Sequence, residues 1–127
     1  MFDKYPRERF AYLPTPLHRL KNLGNSIGLD ELWIKRDDLT GPSIGGNKIR
    51  KLEFVVGDAK ANKADTLVTI GGIQSNHCRQ TAVACATTGL RCILLLAGTE
   101  PETYTGNLLL DSMLGAEIKF YPDENLM

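Results

Sequence analysis

Residues 66–77 read Thr-Leu-Val-Thr-Ile-Gly-Gly-Ile-Gln-Ser-Asn-His, and they pass from a strand pattern into a helix pattern. Residues 66–70 are rich in β-branched side chains, and a pair of glycines closes this segment. From Ser75 the chain is typical of a helix as far as Thr88, and Gly89 ends it. A strand followed by a helix at this spacing begins a βαβ unit, in which the two strands run parallel.

The same alternation continues downstream. Residues 91–96 form an apolar run typical of a strand buried on both faces, residues 105–114 are helix-like, and residues 117–121 are a further strand that Pro122 breaks. The sequence therefore predicts an α/β fold with an open parallel sheet in three layers. Because three strands and two helices leave edges and one face uncovered, we expect the fold to be incomplete and the chain to be a piece of a larger enzyme.

The upstream part has weaker patterns. An extended piece over residues 12–17 precedes a helical patch over residues 18–27, which Gly28 ends, and a strand follows over residues 31–35. After a loop rich in Gly, Pro and Ser, residues 48–62 have apolar positions spaced by three and four. This spacing predicts an amphipathic helix.

Lys48 is the candidate catalytic residue at the junction of this loop and helix. The loop ends on Asn47, a residue type that favours the helix N-cap, so the lysine comes at the first helical position. The positive end of the helix dipole and partial burial both lower the pKa of an amine at such a position. A neutral amine is what Schiff-base formation with a carbonyl requires. The alternative is a solvated lysine in the first turn of a helix.

Residues 71–77 are the second candidate site. They lie where a strand of a parallel sheet ends and a helix begins, and ligands of such folds bind at this edge. Free backbone N–H groups attract a carboxylate or a phosphate there, and Ser75 and Asn76 add a hydroxyl and an amide. Plain capping of the helix is the alternative. His77 is either an acid–base group or a polar residue of the first turn.

The sequence also supports predictions for the cysteine and aspartate residues near these motifs. A helix N-terminus can activate a thiol mildly, which applies to Cys78, whereas Cys85 and Cys92 are typical of small core residues. Asp37 and Asp38 are adjacent at a strand end and are a candidate acid pair, but adjacent side chains of a strand point in opposite directions. One of them is expected to pair with Lys35, Arg36 or Arg50.

Composition argues against several function classes. The chain has 15 basic and 15 acidic residues among 127, and the zero net charge argues against a nucleic-acid-binding surface. No apolar stretch approaches the ~18 residues of a membrane span, and the polar N-terminus resembles neither a signal peptide nor a transit peptide. Three cysteines argue against a disulfide framework and favour the cytoplasm. The spacing of cysteine and histidine predicts no metal site, and Ile49 stands where a P-loop needs Ser or Thr.

Two motifs taken together resemble a known family. They are residues 35–53, Lys-Arg-Asp-Asp-Leu-Thr-Gly-Pro-Ser-Ile-Gly-Gly-Asn-Lys-Ile-Arg-Lys-Leu-Glu, and residues 71–77, which Arg-Gln-Thr at 79–81 follows. In this order they closely resemble the family of D-cysteine desulfhydrase and 1-aminocyclopropane-1-carboxylate (ACC) deaminase. These are pyridoxal-phosphate (PLP) enzymes of the tryptophan-synthase-β-like fold, or fold type II. Residues 15–17 and 106–110 extend the likeness through essentially the whole chain.

The resemblance also implies the domain organisation. Family members are more than twice as long, so the chain is expected to be an N-terminal fragment that lacks the phosphate loop. Residues 1–63 would be the N-terminal part of the large PLP-binding domain, and residues 64–127 the first part of a small open α/β domain. The active site would lie between the two.

Roles of individual residues follow from the same resemblance. It implies that Lys48 binds PLP covalently as a Schiff base and, once the substrate amine has displaced it, takes the α-proton. It implies that Ser75 is catalytic and holds the substrate carboxylate. It implies that Asn47, Lys51 and Asn76 contact the cofactor. It also implies that Gln74, Asn76 and His77 contact the substrate.

The activity that the resemblance implies is that of a PLP-dependent carbon–sulfur lyase. Such an enzyme converts D-cysteine to pyruvate, sulfide and ammonia by β-elimination. His77 favours this branch, because the deaminase branch tends to carry Gln there. ACC deaminase and a non-catalytic fragment are the alternatives. The family implies a small amino-acid substrate and a homodimer of the full-length protein, and we expect neither a nucleic-acid nor a membrane partner.

Overall fold

Two sheets and four helices make up residues 2–121, the part of the chain that the computed structural model describes. None of these helices has both the length and the apolar character needed to cross a membrane. The elements in chain order are β1 (Leu17–Arg19), α1 (Lys21–Ile27), β2 (Trp33–Lys35), α2 (Lys48–Ala61), β3 (Thr66–Gly72), α3 (Asn76–Thr88), β4 (Arg91–Ala97), α4 (Gly106–Met113) and β5 (Glu117–Tyr121).

The larger sheet is parallel and has the strand order β3-β4-β5. Helix α3 connects β3 to β4 and α4 connects β4 to β5, so the predicted alternation is confirmed. The register pairs Val68 with Ile93 and Ile70 with Leu95, which puts these four side chains on one face. On that face Val68 and Ile70 are 59% and 42% exposed, and Ile93 and Leu95 are only half-buried. The expectation that β4 is buried on both faces is therefore wrong for the described residues.

Helix α3 packs against the parallel sheet on one side and against α2 on the other. Every residue from 78 to 85 is buried. One apolar cluster joins α3 to β4 and α4, and it consists of Cys78, Ala82, Cys85, Cys92, Leu94, Leu96 and Leu108. A second cluster joins α3 to α2 and to the N-terminal segment, and it consists of Phe10, Ile49, Leu52, Val56 and Ala84. The helix is thus held between the sheet and α2.

The smaller sheet corrects the expectation for the upstream segment. Strands β1 and β2 are antiparallel, and His18 and Arg19 pair with Ile34 and Trp33. The helix predicted over residues 18–27 therefore begins only at Lys21, because cross-strand pairing takes up the two residues that were assigned to its first turn. It ends, as predicted, before a glycine in the left-handed conformation.

Other predicted boundaries differ from the structure by a few residues. Of the extended piece predicted over 12–17, only residue 17 lies in a strand, and the strand predicted over 31–35 begins at residue 33. Strand β3 continues through both glycines to residue 72, and β5 has the predicted bounds. Pro122, which was expected to break β5, lies outside the described residues.

Helix α2 has most of the predicted amphipathic face. Ile49, Leu52, Val56 and Ala59 are buried, whereas Val55, predicted to belong to the same face, is 45% exposed. The buried face packs against α3, so the contact crosses the division at residues 63 and 64 that the resemblance implies. That division into two domains stays a prediction.

Glu53 is a buried carboxylate in the same helix. Its Oε1 accepts hydrogen bonds from the backbone N–H groups of Phe10 and Ala11 at 2.9 and 2.8 Å, and its Oε2 accepts one from Arg7 Nε at 2.7 Å. Burial by itself raises the pKa of Glu53, but the Ala11 amide and the Arg7 guanidinium outweigh it, so the net pKa is lowered. These bonds fasten the N-terminal segment to α2.

Candidate active site

Lys48 is the first residue of α2, and its side chain is half-buried. Gly46 lies in the loop before it and has a φ of +135°, a backbone conformation that residues with a side chain rarely adopt. Asn47 is exposed, already has a helical conformation and makes no capping hydrogen bond with its side chain. The prediction that Asn47 caps α2 is therefore wrong. The acceptor for the first N–H groups of α2 is Gln80 Oε1, which lies 2.9 Å from Lys48 N and 3.1 Å from Ile49 N.

Ser75 caps α3. Its backbone is extended, and its Oγ accepts a hydrogen bond of 3.2 Å from Cys78 N. Asn76 and His77 begin the helix, and their N–H groups have no acceptor within it because first-turn amides precede the helical ladder. The turn is tight, since a Cβ on Gly71 would lie 2.8 Å from Ser75 Oγ. The capping alternative and the anion-site interpretation are thus compatible, because Ser75 caps the helix and the Asn76 and His77 amides have no acceptor in residues 2–121.

The two motifs adjoin through the first turns of α3. Gln80 Nε2 donates a 3.0 Å hydrogen bond to the Asn76 carbonyl, while its Oε1 binds the start of α2. Arg79 donates to the glycine loop, with NH1 2.8 Å from Ile44 O and NH2 3.3 Å from Gly45 O. The lysine loop and the Ser75–Asn76 turn are therefore joined by two neighbouring side chains of one helix.

His77 lies on the same side as the lysines of α2. Its Nε2 is 3.1 Å from Thr69 Oγ1, and its Nδ1 is buried with no hydrogen-bond partner in residues 2–121. Burial lowers the pKa of His77, and the positive charges of Lys51 and Lys48 lower it further, so the imidazole is neutral at neutral pH. A cleft of about 140 Å³ lies beside it, lined in part by Lys51, Thr69, His77 and Thr81.

Gln74 uses its side chain to bind the start of α4. Its Nε2 donates to Thr105 O at 3.0 Å, and its Oε1 accepts from Asn107 N at 2.9 Å. Asn107 Nδ2 in turn donates to Gln74 O at 2.9 Å. The amide of Gln74 is thus engaged in positioning the 71–77 turn against α4, and its contact with a substrate stays a prediction.

Comparison with known proteins assigns the family. Residues 9–127 match the family model described as pyridoxal-phosphate dependent enzyme. The chain belongs to this family. It is 49% identical over 121 residues to D-cysteine desulfhydrase of Salmonella typhimurium and 43% identical over 125 residues to a putative ACC deaminase of Pyrococcus abyssi. These alignments cover 91% and 98% of this chain, and 37% of each relative.

A solved structure of the same family has the same fold. A crystal structure described as that of an ACC deaminase homologue superimposes with a TM-score of 0.90 at 44% sequence identity, over 98% of this chain and 37% of that one. The predicted fold type II architecture, in incomplete form, is confirmed by this match. The chain spans about a third of the length of the curated relatives that it matches.

The residues around Lys48 fit part of what a PLP-dependent enzyme needs. A half-buried primary amine can react with the cofactor aldehyde, and the Ser75 turn offers donors to an anionic group. The buried Nδ1 of His77, without a partner in the described part of the chain, leaves one hydrogen-bonding atom for a bound molecule. Asn47 and Asn76 are exposed at the starts of the two helices that Gln80 joins.

Two sequence-based expectations near the PLP-enzyme motifs need correction. Cys78 is fully buried and burial raises the pKa of its thiol, so the helix N-terminus does not activate it. Asp37 and Asp38 lie in a 3₁₀ turn rather than at a strand end, but the predicted pairing is confirmed, since Asp37 pairs with Arg50 and Asp38 with Arg36. Their pKa values are lowered by these guanidinium groups, so they are ionised partners and not an acid pair.

Cys85 and Cys92 are buried core residues, as predicted. No group of three or more metal-ligating side chains occurs in residues 2–121. Gln80 and Arg79 join the two motifs, and sequence reasoning missed both, although they stood in the motif that carries the family resemblance. The available signal was the position of these two long polar residues shortly before the small apolar run of residues 82–86 in the same helix.

Proposed function

We propose that the complete protein is a PLP-dependent lyase of the D-cysteine desulfhydrase type. The reaction takes D-cysteine and water to pyruvate, sulfide and ammonia. One observation carries the proposal: the Lys48 backbone and the Asn76 carbonyl bind the same Gln80 side chain, which brings a reactive amine next to a turn suited to a carboxylate. The likeness to a relative named D-cysteine desulfhydrase, at 49% identity, supports the choice of substrate.

Lys48 has two tasks in this proposal. Its amine would hold PLP through the cofactor aldehyde, and the same amine, when free, would remove the α-proton of the substrate. PLP, when bound, supplies an electron sink for the charge that this proton removal leaves on the α-carbon. Half-burial of the lysine side chain shields part of it from water.

The 71–77 turn holds the amino acid. The Ser75 hydroxyl and the free N–H groups of Asn76 and His77 are donors for the substrate carboxylate. A fixed carboxylate orients the α-proton toward Lys48, which is the requirement for rapid transfer. The side chains of Asn47, Lys51 and Asn76 would hold the cofactor, with the Lys51 ammonium suited to an anion.

His77 and Gln74 complete the proposed substrate contacts. A neutral His77 can donate or accept one hydrogen bond through Nδ1, which is suited to a thiol or an amine of the substrate. Gln74 acts through the 71–77 turn that it ties to α4. Departure of thiolate from the β-carbon and hydrolysis of the released enamine give the three products.

ACC deaminase is the second candidate. The likeness to a structure described as an ACC deaminase homologue, with a TM-score of 0.90, favours it. The products discriminate, because ring opening of ACC gives 2-oxobutanoate and ammonia without sulfide. A homodimer, a cytoplasmic location and the two-domain division at residues 63 and 64 belong to the same proposal.

Assay of the purified full-length protein tests the proposal. Sulfide and pyruvate from D-cysteine are expected, whereas 2-oxobutanoate from ACC would favour the second candidate. If a PLP-loaded protein forms neither product, the remaining hypothesis is a non-catalytic binding module. Borohydride reduction followed by peptide mapping should find PLP on Lys48, and Lys48→Ala should abolish the adduct. Lys60→Ala, on the same helix and paired with Glu8, is the control that retains it.

A further inference from the structure

Gln80 is a buried polar residue to which the proposed chemistry gives no reacting role. It is 1% exposed and lies in the second turn of α3. Its carbonyl oxygen accepts from Lys48 N and Ile49 N, and its amide nitrogen donates to Asn76 O. A side-chain amide has two acceptor sites and two donor hydrogens, so three of these four positions are satisfied by backbone groups of the two motifs.

The bond to Lys48 replaces a cap that the helix does not have. The first amides of a helix need acceptors from outside its ladder, and the residue before the helix normally provides one. Asn47 does not, because its backbone is already helical and its side chain makes no capping bond. Ile49 N also reaches the loop at Gly46 O, at 3.3 Å, so the acceptor that α2 has for Lys48 N comes from α3 and not from the Asn47 side chain.

The glycine loop is shaped to allow this contact. A Cβ on Gly46 would lie 2.6 Å from Gln80 Nε2 and 2.7 Å from Gln80 Oε1, which is closer than nonbonded atoms approach. Arg79 holds the preceding part of the loop at Ile44 and Gly45. Of these two α3 side chains, only Gln80 reaches the backbone of Lys48.

We propose that Gln80 is a positioning residue, which sets the Lys48 amine at a fixed place relative to the Ser75–Asn76 turn. This inference rests on the proposed function, since it assigns a task to the same site. A reacting group that is displaced by about 1 Å can lose roughly 100-fold in rate. A side chain that bonds both halves of the site prevents such a displacement, because neither helix start can shift without breaking a buried hydrogen bond.

Three variants of the full-length enzyme separate positioning from folding. Gln80→Met has a similar size but makes none of the hydrogen bonds. Gln80→Glu keeps an acceptor for Lys48 and Ile49 but loses the donor to Asn76. Thr88→Val is the matched control at the other end of α3, where the hydroxyl donates only to Ala84 O. The rate at which cyanoborohydride traps PLP on Lys48, measured by peptide mapping, is a readout besides activity.

The expected order of trapping rates is wild type and Thr88→Val first, Gln80→Glu within a few-fold of them, and Gln80→Met slower by roughly 10- to 100-fold. The same order is expected for kcat, with the KM for D-cysteine changed less than kcat because Ser75 keeps its own cap. If Gln80→Met does not fold, Gln80→Asn takes its place, since its shorter side chain cannot reach both helix starts and should trap slowly.

A folded Gln80→Met or Gln80→Asn that traps PLP at the wild-type rate would overturn the inference and leave the proposed function intact. Equal slowing in Thr88→Val would also overturn it, because the effect would then follow general loss of α3 stability. Wild-type protein that forms no adduct on Lys48 would overturn the proposed function, and the positioning role with it.

Discussion

Arg79 NH1 lies 2.8 Å from the carbonyl oxygen of Ile44, so a buried guanidinium of α3 holds the loop that leads to Lys48. Its NH2 contacts the next carbonyl, Gly45 O, at 3.3 Å, and the side chain is 6% exposed. One planar group thus binds two successive carbonyls. This geometry is open to arginine and not to lysine, whose ammonium is a single point charge.

Arg79→Lys should therefore destabilise the protein by roughly 1–3 kcal/mol, because hydrogen bonds from a charged donor are lost in a buried place. Urea unfolding measures the difference. Arg91→Lys is the control, since Arg91 is exposed and its pair with Glu117 at 3.5 Å lies on the surface, and it should change stability by less than about 0.5 kcal/mol. Equal losses for both variants would show that the fork of Arg79 is unimportant.

The two helix starts of the site are capped differently, and alanine substitutions should reveal it. Ser75→Ala removes the oxygen that accepts from Cys78 N, which costs about 1 kcal/mol for a typical cap. Asn47→Ala should cost less than about 0.5 kcal/mol, because the Asn47 side chain caps nothing. Thermal unfolding of the two variants under one set of conditions compares them. A loss in Asn47→Ala as large as that in Ser75→Ala would argue that Asn47, and not Gln80, caps α2.

The second half of the chain was predictable because its signals are local. Apolar runs such as residues 91–96 and the glycine at 89 specify a strand and a helix end within a short window. The parallel order then follows from the connections. The upstream helix was misplaced because His18 and Arg19 pair with residues 16 and 14 positions away, and no local pattern indicates such a partner.

The candidate site was predictable in its parts but not in its assembly. Lys48 and Ser75 stand at helix starts, which residue types and glycines indicate directly. The bond from Lys48 N to Gln80 Oε1 joins residues 32 positions apart, and it exists only because α2 packs on α3. For Asp37 the sequence left three candidate cations, and packing selects Arg50, which lies 13 residues away. These contacts depend on tertiary packing, and local capping preferences do not predict them.

Glu53 should make stability fall in acid. Its folded-state pKa is lowered, so its contribution is present above the unfolded value, about 4.3, and is lost as the pH falls through the folded value. Glu53→Gln should lose about 2–3 kcal/mol at pH 7, because the Arg7 bond loses its charged acceptor, and the gap from wild type should narrow below pH 4. Urea unfolding over this range measures it. Glu8→Gln, half-buried and paired with Lys60, is the control with little change. A difference in stability between Glu53→Gln and wild type that stays constant with pH would contradict the lowered pKa of Glu53.

Asp111 of α4 should change stability with pH in the direction opposite to that of Glu53. It is fully buried, neither carboxylate oxygen has a hydrogen-bond partner in residues 2–121, and burial raises its pKa to about 7 although Arg79 opposes the shift. The other titratable groups facing it, the thiols of Cys78 and Cys92, have raised pKa values and are neutral near pH 7. The folded state therefore binds a proton that the unfolded state releases near pH 4, so stability falls as the pH rises from about 4 through about 7.

Asp111→Asn should remove this slope. Relative to wild type, the variant should gain stability with rising pH, by a change on the order of a few kcal/mol between pH 4 and pH 8, and the gain should level off above pH 8. Urea unfolding at four or five pH values measures the difference between the two curves. Asp58→Asn, at an exposed position of α2, should run parallel to wild type. Parallel curves for Asp111→Asn and wild type would mean that Asp111 is ionised throughout, which would require a partner that holds its charge in the folded protein.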